Sequence, residues 1–107
     1  MDMRAPDFIA LLKYYTAEEG GRRTPVKSGY RPQAIFDFEE MRTSGKQVFI
    51  DKDIVYPSDT VNAEITMASP TIFKGRLSGG MTFKFSEGSG IIGTGEIIDI
   101  LNRELNV

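Results

Sequence analysis

The sequence predicts an all-β fold, a sandwich or barrel of short strands, and three features carry that expectation. Apolar and polar residues alternate in several short segments. The cleanest is Thr60–Met67, where Val61, Ala63, Ile65 and Met67 face one way and Asn62, Glu64 and Thr66 the other. Turn-forming clusters separate these segments: Thr43-Ser44-Gly45, Tyr56-Pro57-Ser58-Asp59, Ser69-Pro70, Ser78-Gly79-Gly80 and Glu87-Gly88-Ser89-Gly90. Gly93 and Gly95 interrupt the last apolar stretch, which disfavours a helix and suits a bulge or close backbone approach in a strand.

In chain order, residues 8–15 form an apolar run that ends in an aromatic pair shortly before Gly20-Gly21, so they are expected to be extended. Residues 34–38 follow Pro32 as a second strand, and residues 47–50 make a short third. Thr60–Met67 is the fourth, and residues 81–85 repeat its alternation. Residues 91–101 supply the last strand, and residues 101–107 leave a helical turn open. Short strands divided by turns across one domain are the pattern of a sandwich or barrel.

The 107 residues suffice for one domain, expected over residues 7–107 after a short leader at 1–6. At that length folding removes roughly two thirds of the unfolded chain's surface from water, enough for a core without metals or disulfides. A hydrophobic share of 40% and a charged share of 26% fit a globular domain, and no apolar run approaches the ~20 residues that cross a bilayer. Residues 1–6 lack the apolar core of a signal peptide, so a cytoplasmic location is expected.

The absence of cysteine excludes a disulfide frame, a thiol nucleophile and thiolate metal sites. The absence of histidine removes the commonest general base, the usual zinc ligand and the ordinary pH switch. A non-catalytic protein without metal or cofactor is therefore expected. The net charge of −2 attracts no nucleic acid globally, so such binding would need a local basic patch.

Three motifs invite chemistry and have simpler readings. Residues 88–93 spell Gly-x-Gly-x-x-Gly, but a dinucleotide fingerprint needs a following helix and an acidic residue about 20 positions on, so a glycine hairpin is expected. Asp51-Lys52-Asp53 is followed by Ile54 and Val55 rather than further oxygen ligands, which suits a solvated turn. Asp37, Glu39 and Glu40 read as charged surface.

The segment 18–33 is different: Glu18-Glu19-Gly20-Gly21-Arg22-Arg23-Thr24-Pro25 leads through Lys27 to Gly29-Tyr30-Arg31-Pro32-Gln33. Structurally, its glycines permit a tight turn, its prolines stiffen the connection, and Arg31 is placed to bond carbonyls or a carboxylate across the fold. Functionally, Arg22, Arg23 and Lys27 gather positive charge of the kind that contacts phosphates.

These motifs resemble the C-terminal β-barrel domain of bacterial elongation factor Tu, over about residues 7–101. Pro57-Ser58-Asp59-Thr60-Val61 is similar to the family's Pro-Gly-Asp-Asn-Val, and residues 80–88 to its Gly-Leu-Arg-Phe-Ala-Ile-Arg-Glu-Gly. Gly93-Thr94-Gly95 matches its Gly-Ala-Gly, and Ser69-Pro70 stands at a residue-Pro pair. The resemblance implies a closed six-stranded antiparallel barrel. It also implies no GTPase activity, because that belongs to another domain and no phosphate-binding loop occurs here.

In the family this barrel packs beside the T-stem of aminoacyl-tRNA. The contacts carry over to Arg22, Arg23, Gln33, Glu87 and Gly88. Arg23 replaces a histidine, Ser69 stands where a basic residue precedes the proline, and Ser86 and Gly90 replace arginines, so the basic face is thinner. The family barrel also packs on neighbouring domains and contributes to binding the nucleotide-exchange factor. The expected role is thus a non-catalytic protein-interaction module linked to translation, its partner a translation component or a second copy, with tRNA binding as the alternative.

Overall fold

The structure, a computed structural model, describes residues 4–107. Its strands are β1 Phe8–Tyr14, β2 Val26–Lys27, β3 Gln33–Ile35, β4 Thr43–Phe49, β5 Ile54–Val55, β6 Thr60–Met67, β7 Thr82–Glu87 and β8 Gly90–Ile100. Six of them close into a barrel in the order β1-β6-β4-β3-β7-β8, with every neighbouring pair antiparallel. This is the closed six-stranded antiparallel barrel expected above. β2 and β5 pair separately as a short ribbon.

Alternation sends Phe8, Ala10, Leu12 and Tyr14 of β1 inward, beside Val61, Ala63, Ile65 and Met67 of β6. β7 adds Phe83 and Phe85, and the register places these opposite Gly95 and Gly93 of β8. A Cβ on Gly95 would come within 2.6 Å of Phe83 Cε1, and one on Gly93 within 2.6 Å of the Lys13 carbonyl as well as into the Phe85 ring. The missing side chains are therefore the space the rings occupy. From there aromatic contacts spread, with ring centroids 5.7 Å apart for Phe8 and Phe83, 5.2 Å for Phe36 and Phe83, and 5.0 Å for Tyr14 and Phe85.

β8 closes the barrel by bonding β7 on one edge and β1 on the other. Its register shifts twice: Ile92 falls between the residues opposite Phe85 and Ser86, and Ile98 between those opposite Ala10 and Ile9. An extra residue on one strand bends it and increases its twist, which is how a long strand follows a small barrel's curvature.

Asp7 ties the ends of the barrel together. Its buried carboxylate accepts bonds from the Met67 N–H at 2.7 Å, the Asn102 side-chain amide at 3.0 Å and the Arg4 guanidinium at 3.3 Å. Its carbonyl accepts the N–H groups of Leu101 and Asn102 at 3.0 and 2.9 Å. A buried carboxylate is tolerated because these bonds replace its water. Arg4 belongs to the expected leader 1–6, whose residues 1–3 lie outside the described residues.

Several boundaries differ from expectation. Thr43-Ser44-Gly45 is not a turn but the start of β4, where Gly45 lies 3.3 Å, measured from an added Cβ, from Ile65 Cγ2. The second strand covers only Gln33–Ile35, because the chain turns after Phe36 to bury that ring and leave Phe38 half exposed. Thr66, expected outside, is buried, and it lies within a run of three buried residues at the end of β6. Ser69-Pro70 opens a 3-10 turn at Pro70–Phe73, and a second 3-10 turn, Arg103–Leu105, settles the tail and buries Leu105. The ribbon of β2 and β5 was not anticipated.

Two stability outcomes follow from these geometries. Gly95→Ala forces a methyl against Phe83 and should cost about 2–3 kcal/mol in urea unfolding, with Phe83→Leu recovering part of it in the double variant. Wild-type stability for Gly95→Ala would contradict this account of the core. Ser58 holds φ at 75°, the left-handed region that glycine enters freely. Ser58→Gly should therefore raise stability by roughly 0.5–1 kcal/mol, and a lowered urea midpoint would refute that reading.

Candidate functional site

The site begins at the turn after β1. Thr16 and Glu19 bond reciprocally, with the Thr16 N–H reaching Glu19 Oε1 at 2.8 Å and the Glu19 N–H reaching Thr16 Oγ1 at 3.1 Å. The Thr16 N–H, and after it the Thr16 side chain, hold the Glu19 carboxyl below its ordinary range. Gly20 takes φ +98° and donates to the Ala17 carbonyl at 3.1 Å. At Gly21 a Cβ would lie 2.9 Å from the Thr16 carbonyl, so both glycines are required by the turn.

The turn delivers Arg22 to the β7–β8 hairpin. Its guanidinium forms an ion pair with Glu87, bonds Thr24 Oγ1 at 2.9 Å and the Thr24 carbonyl at 3.3 Å, and stands 5.4 Å from the Tyr30 ring centroid. The Tyr30 hydroxyl donates to the same Glu87 oxygen. One carboxylate thus holds a cation and a phenol together. Gly88 follows at the hairpin tip with φ +60°, where a glycine at the first central position suits a type II′ turn closed by Glu87 and Gly90.

Of the five sequence-predicted residues, Arg22, Glu87 and Gly88 come together here. Gln33 sits in the ladder opposite Ser86 and Ser44, with its side chain exposed. Arg23 is exposed and makes no ion pair among the described residues. Arg31 is also exposed, and none of the side-chain bonds among the described residues joins it across the barrel. The glycine hairpin expected within residues 88–93 is present, turning at residues 88–89, and Asp51, Lys52 and Asp53 form the exposed turn expected of them.

Beneath this surface lie Tyr14 and Gln47, which sequence reasoning did not single out, and Ser86, noted there only as replacing an arginine. The buried Tyr14 hydroxyl donates to Gln47 Oε1, and Gln47 also exchanges main-chain bonds with the segment carrying Tyr30. A polar residue at an inward position of a strand was the available signal for Gln47. Ser86, next to Glu87, is buried, and its hydroxyl is the one buried side-chain polar group without a hydrogen-bond partner among the described residues. Burial raises both phenols above the ordinary tyrosine range. For Tyr14 the second cause is the neighbouring Tyr30, and for Tyr30 it is the hydrogen bond to Glu87.

Known protein-family models were searched, and none matches this chain. In this arrangement Arg22 and Glu87 neutralise each other, while Arg23 and Lys27 of the same segment stay exposed. No group of three or more carboxylates suited to a metal ion occurs among the described residues.

The phenols give a pH signature. Because their folded pKa values lie above the unfolded value of about 10, the stability they contribute is complete below about pH 10 and declines as pH rises through the folded values. Ultraviolet titration should show a phenolate component delayed beyond pH ~10, reduced in both Tyr14→Phe and Tyr30→Phe. Glu87→Gln should bring the Tyr30 share to lower pH. A titration complete near pH 10 in the folded protein would contradict the buried network.

Proposed function

We propose that this barrel is a non-catalytic binding module related to the C-terminal domain of elongation factor Tu, acting through protein partners in translation. The Arg22–Glu87 ion pair carries this reading. Both groups are ones that the resemblance assigns to RNA contact, yet they bond each other, with Tyr30 as a third member. A phosphate approaching Arg22 has to displace a carboxylate already in place. That removes one of the few counterion-releasing contacts on which RNA affinity depends.

The adjoining ribbon supports a protein partner. Val26 and Val55 pack inward, while Ile54 and Tyr56, two positions apart, stand 40% and 55% exposed. An apolar surface beside satisfied charges is suited to a protein interface. The six-stranded barrel and the turns that carry segment 18–33 support the proposed relationship, and a rigid barrel can hold such a surface in one shape.

The second reading is RNA binding. It is favoured by Arg23 and Lys27, both exposed and without an ion-pair partner among the described residues. Affinity capture should retain a translation component on the wild-type barrel and lose it on an Ile54→Asp/Tyr56→Asp variant. A mobility assay with tRNA at low salt should show weak binding that Arg22→Ala hardly changes. A monomer that captures neither a translation component nor any stable partner would sink the protein reading. Tight tRNA binding abolished by Arg22→Ala with Arg23→Ala would put RNA in its place.

A further inference from the structure

A groove of about 380 Å³ lies on the face of β1, β8 and β7, with Asp37 adding to its lining. The register arranges its side chains in two rows. Thr94 stands between Lys13 on β1 and Lys84 on β7. Two residues along β8, Glu96 stands between Leu11 and Thr82. One row is cationic with a hydroxyl at its centre. The other carries a carboxylate beside an apolar residue, since Leu11 is 36% exposed.

None of Lys13, Lys84, Asp37 and Glu96 takes part in an ion pair among the described residues. Lys13 also helps to keep the Glu19 carboxyl ionised, although that group is held chiefly by Thr16. The opposed rows thus retain charge for a ligand carrying both signs. Two residues of strand separate them, about 6.7 Å. Two residues of extended peptide span at most roughly 6.6–7.2 Å, whereas a single amino acid spans about half of that.

We propose that this groove binds a free dipeptide, with its carboxylate between Lys13 and Lys84 against the Thr94 hydroxyl and its ammonium at Glu96. The first side chain of the ligand packs on Leu11. Matching charge at both ends selects free termini, and the spacing selects two residues over one or four. A cavity of this size lies at the small end of the ~300–1,000 Å³ usual for small-molecule sites.

The probe is Leu-Ala, titrated into the full chain while backbone amide resonances are followed. Saturable shifts should centre on Leu11, Lys13, Lys84 and Thr94. N-acetylation or C-amidation of the probe should each weaken binding about tenfold, as loss of one charge-assisted bond implies. Lys13→Gln with Lys84→Gln, and separately Glu96→Gln, should do the same. All three are exposed strand positions, so an unchanged urea midpoint certifies the fold. Shifts that fail to saturate, or equal binding of blocked and free probes, would overturn the proposal. Undiminished binding to folded Glu96→Gln would overturn it as well.

Discussion

The interlock of two phenylalanines with two glycines across β7 and β8 is the constraint on which the rest of this barrel depends. Phe83 and Phe85 fill the space that side chains at Gly95 and Gly93 would occupy, so the two strands can lie in only one register with the rings inside. A slip of one residue would turn both rings to water and set Thr94 against the core. The remaining aromatics then pack outward from this pair: Phe8 and Phe36 against Phe83, Tyr14 against Phe85, and Phe73 at 4.8 Å from Phe36.

That packing also sets the surface around Arg22. Phe85 fixes the position of Ser86 and Glu87, and the extra residue at Ile92 lets β8 bend where the hairpin leaves the barrel. Tyr14, held between Phe85 and Phe49, passes the arrangement through Gln47 to the segment bearing Tyr30. The Arg22–Glu87–Tyr30 cluster is therefore supported from below by buried bonds rather than by its own exposed ion pair, which would contribute little alone. On the outer face, the same register of β8 aligns Thr94 with two lysines and Glu96 with Leu11.

Strands were legible in the sequence where one face is buried and alternation is unbroken, as in Thr60–Met67, or where an apolar run ends in aromatics before a glycine turn, as in Phe8–Tyr14. Thr43, Ser44 and Gly45 were not, because small residues that suit a turn also suit a strand crowded by Ala34 and Ile65. The ribbon of β2 and β5 has two residues per strand, too few for a period, and it exists through bonds between distant positions. Composition showed the glycine turn and its cations. It could not show that Arg22 meets Glu87, 65 positions away, since such a pairing is a product of closure rather than of local pattern.

The clasp at Asp7 has a mechanical side. β1 and β8 are antiparallel neighbours, so Phe8 at the start of one lies beside Ile100 at the end of the other. Tension drawn through the two ends of the domain meets at this one place. On the C-terminal side it meets first the bonds of residues 104–107 to Gly75 and Leu77, then those that Asp7 accepts from Leu101 and Asn102, and behind them the ladder is loaded pair by pair, as a zip is opened, rather than all at once in shear. A barrel bonded around its whole circumference is therefore guarded against traction at one seam, by the tail's bonds to Gly75 and Leu77 and by the aspartate behind them.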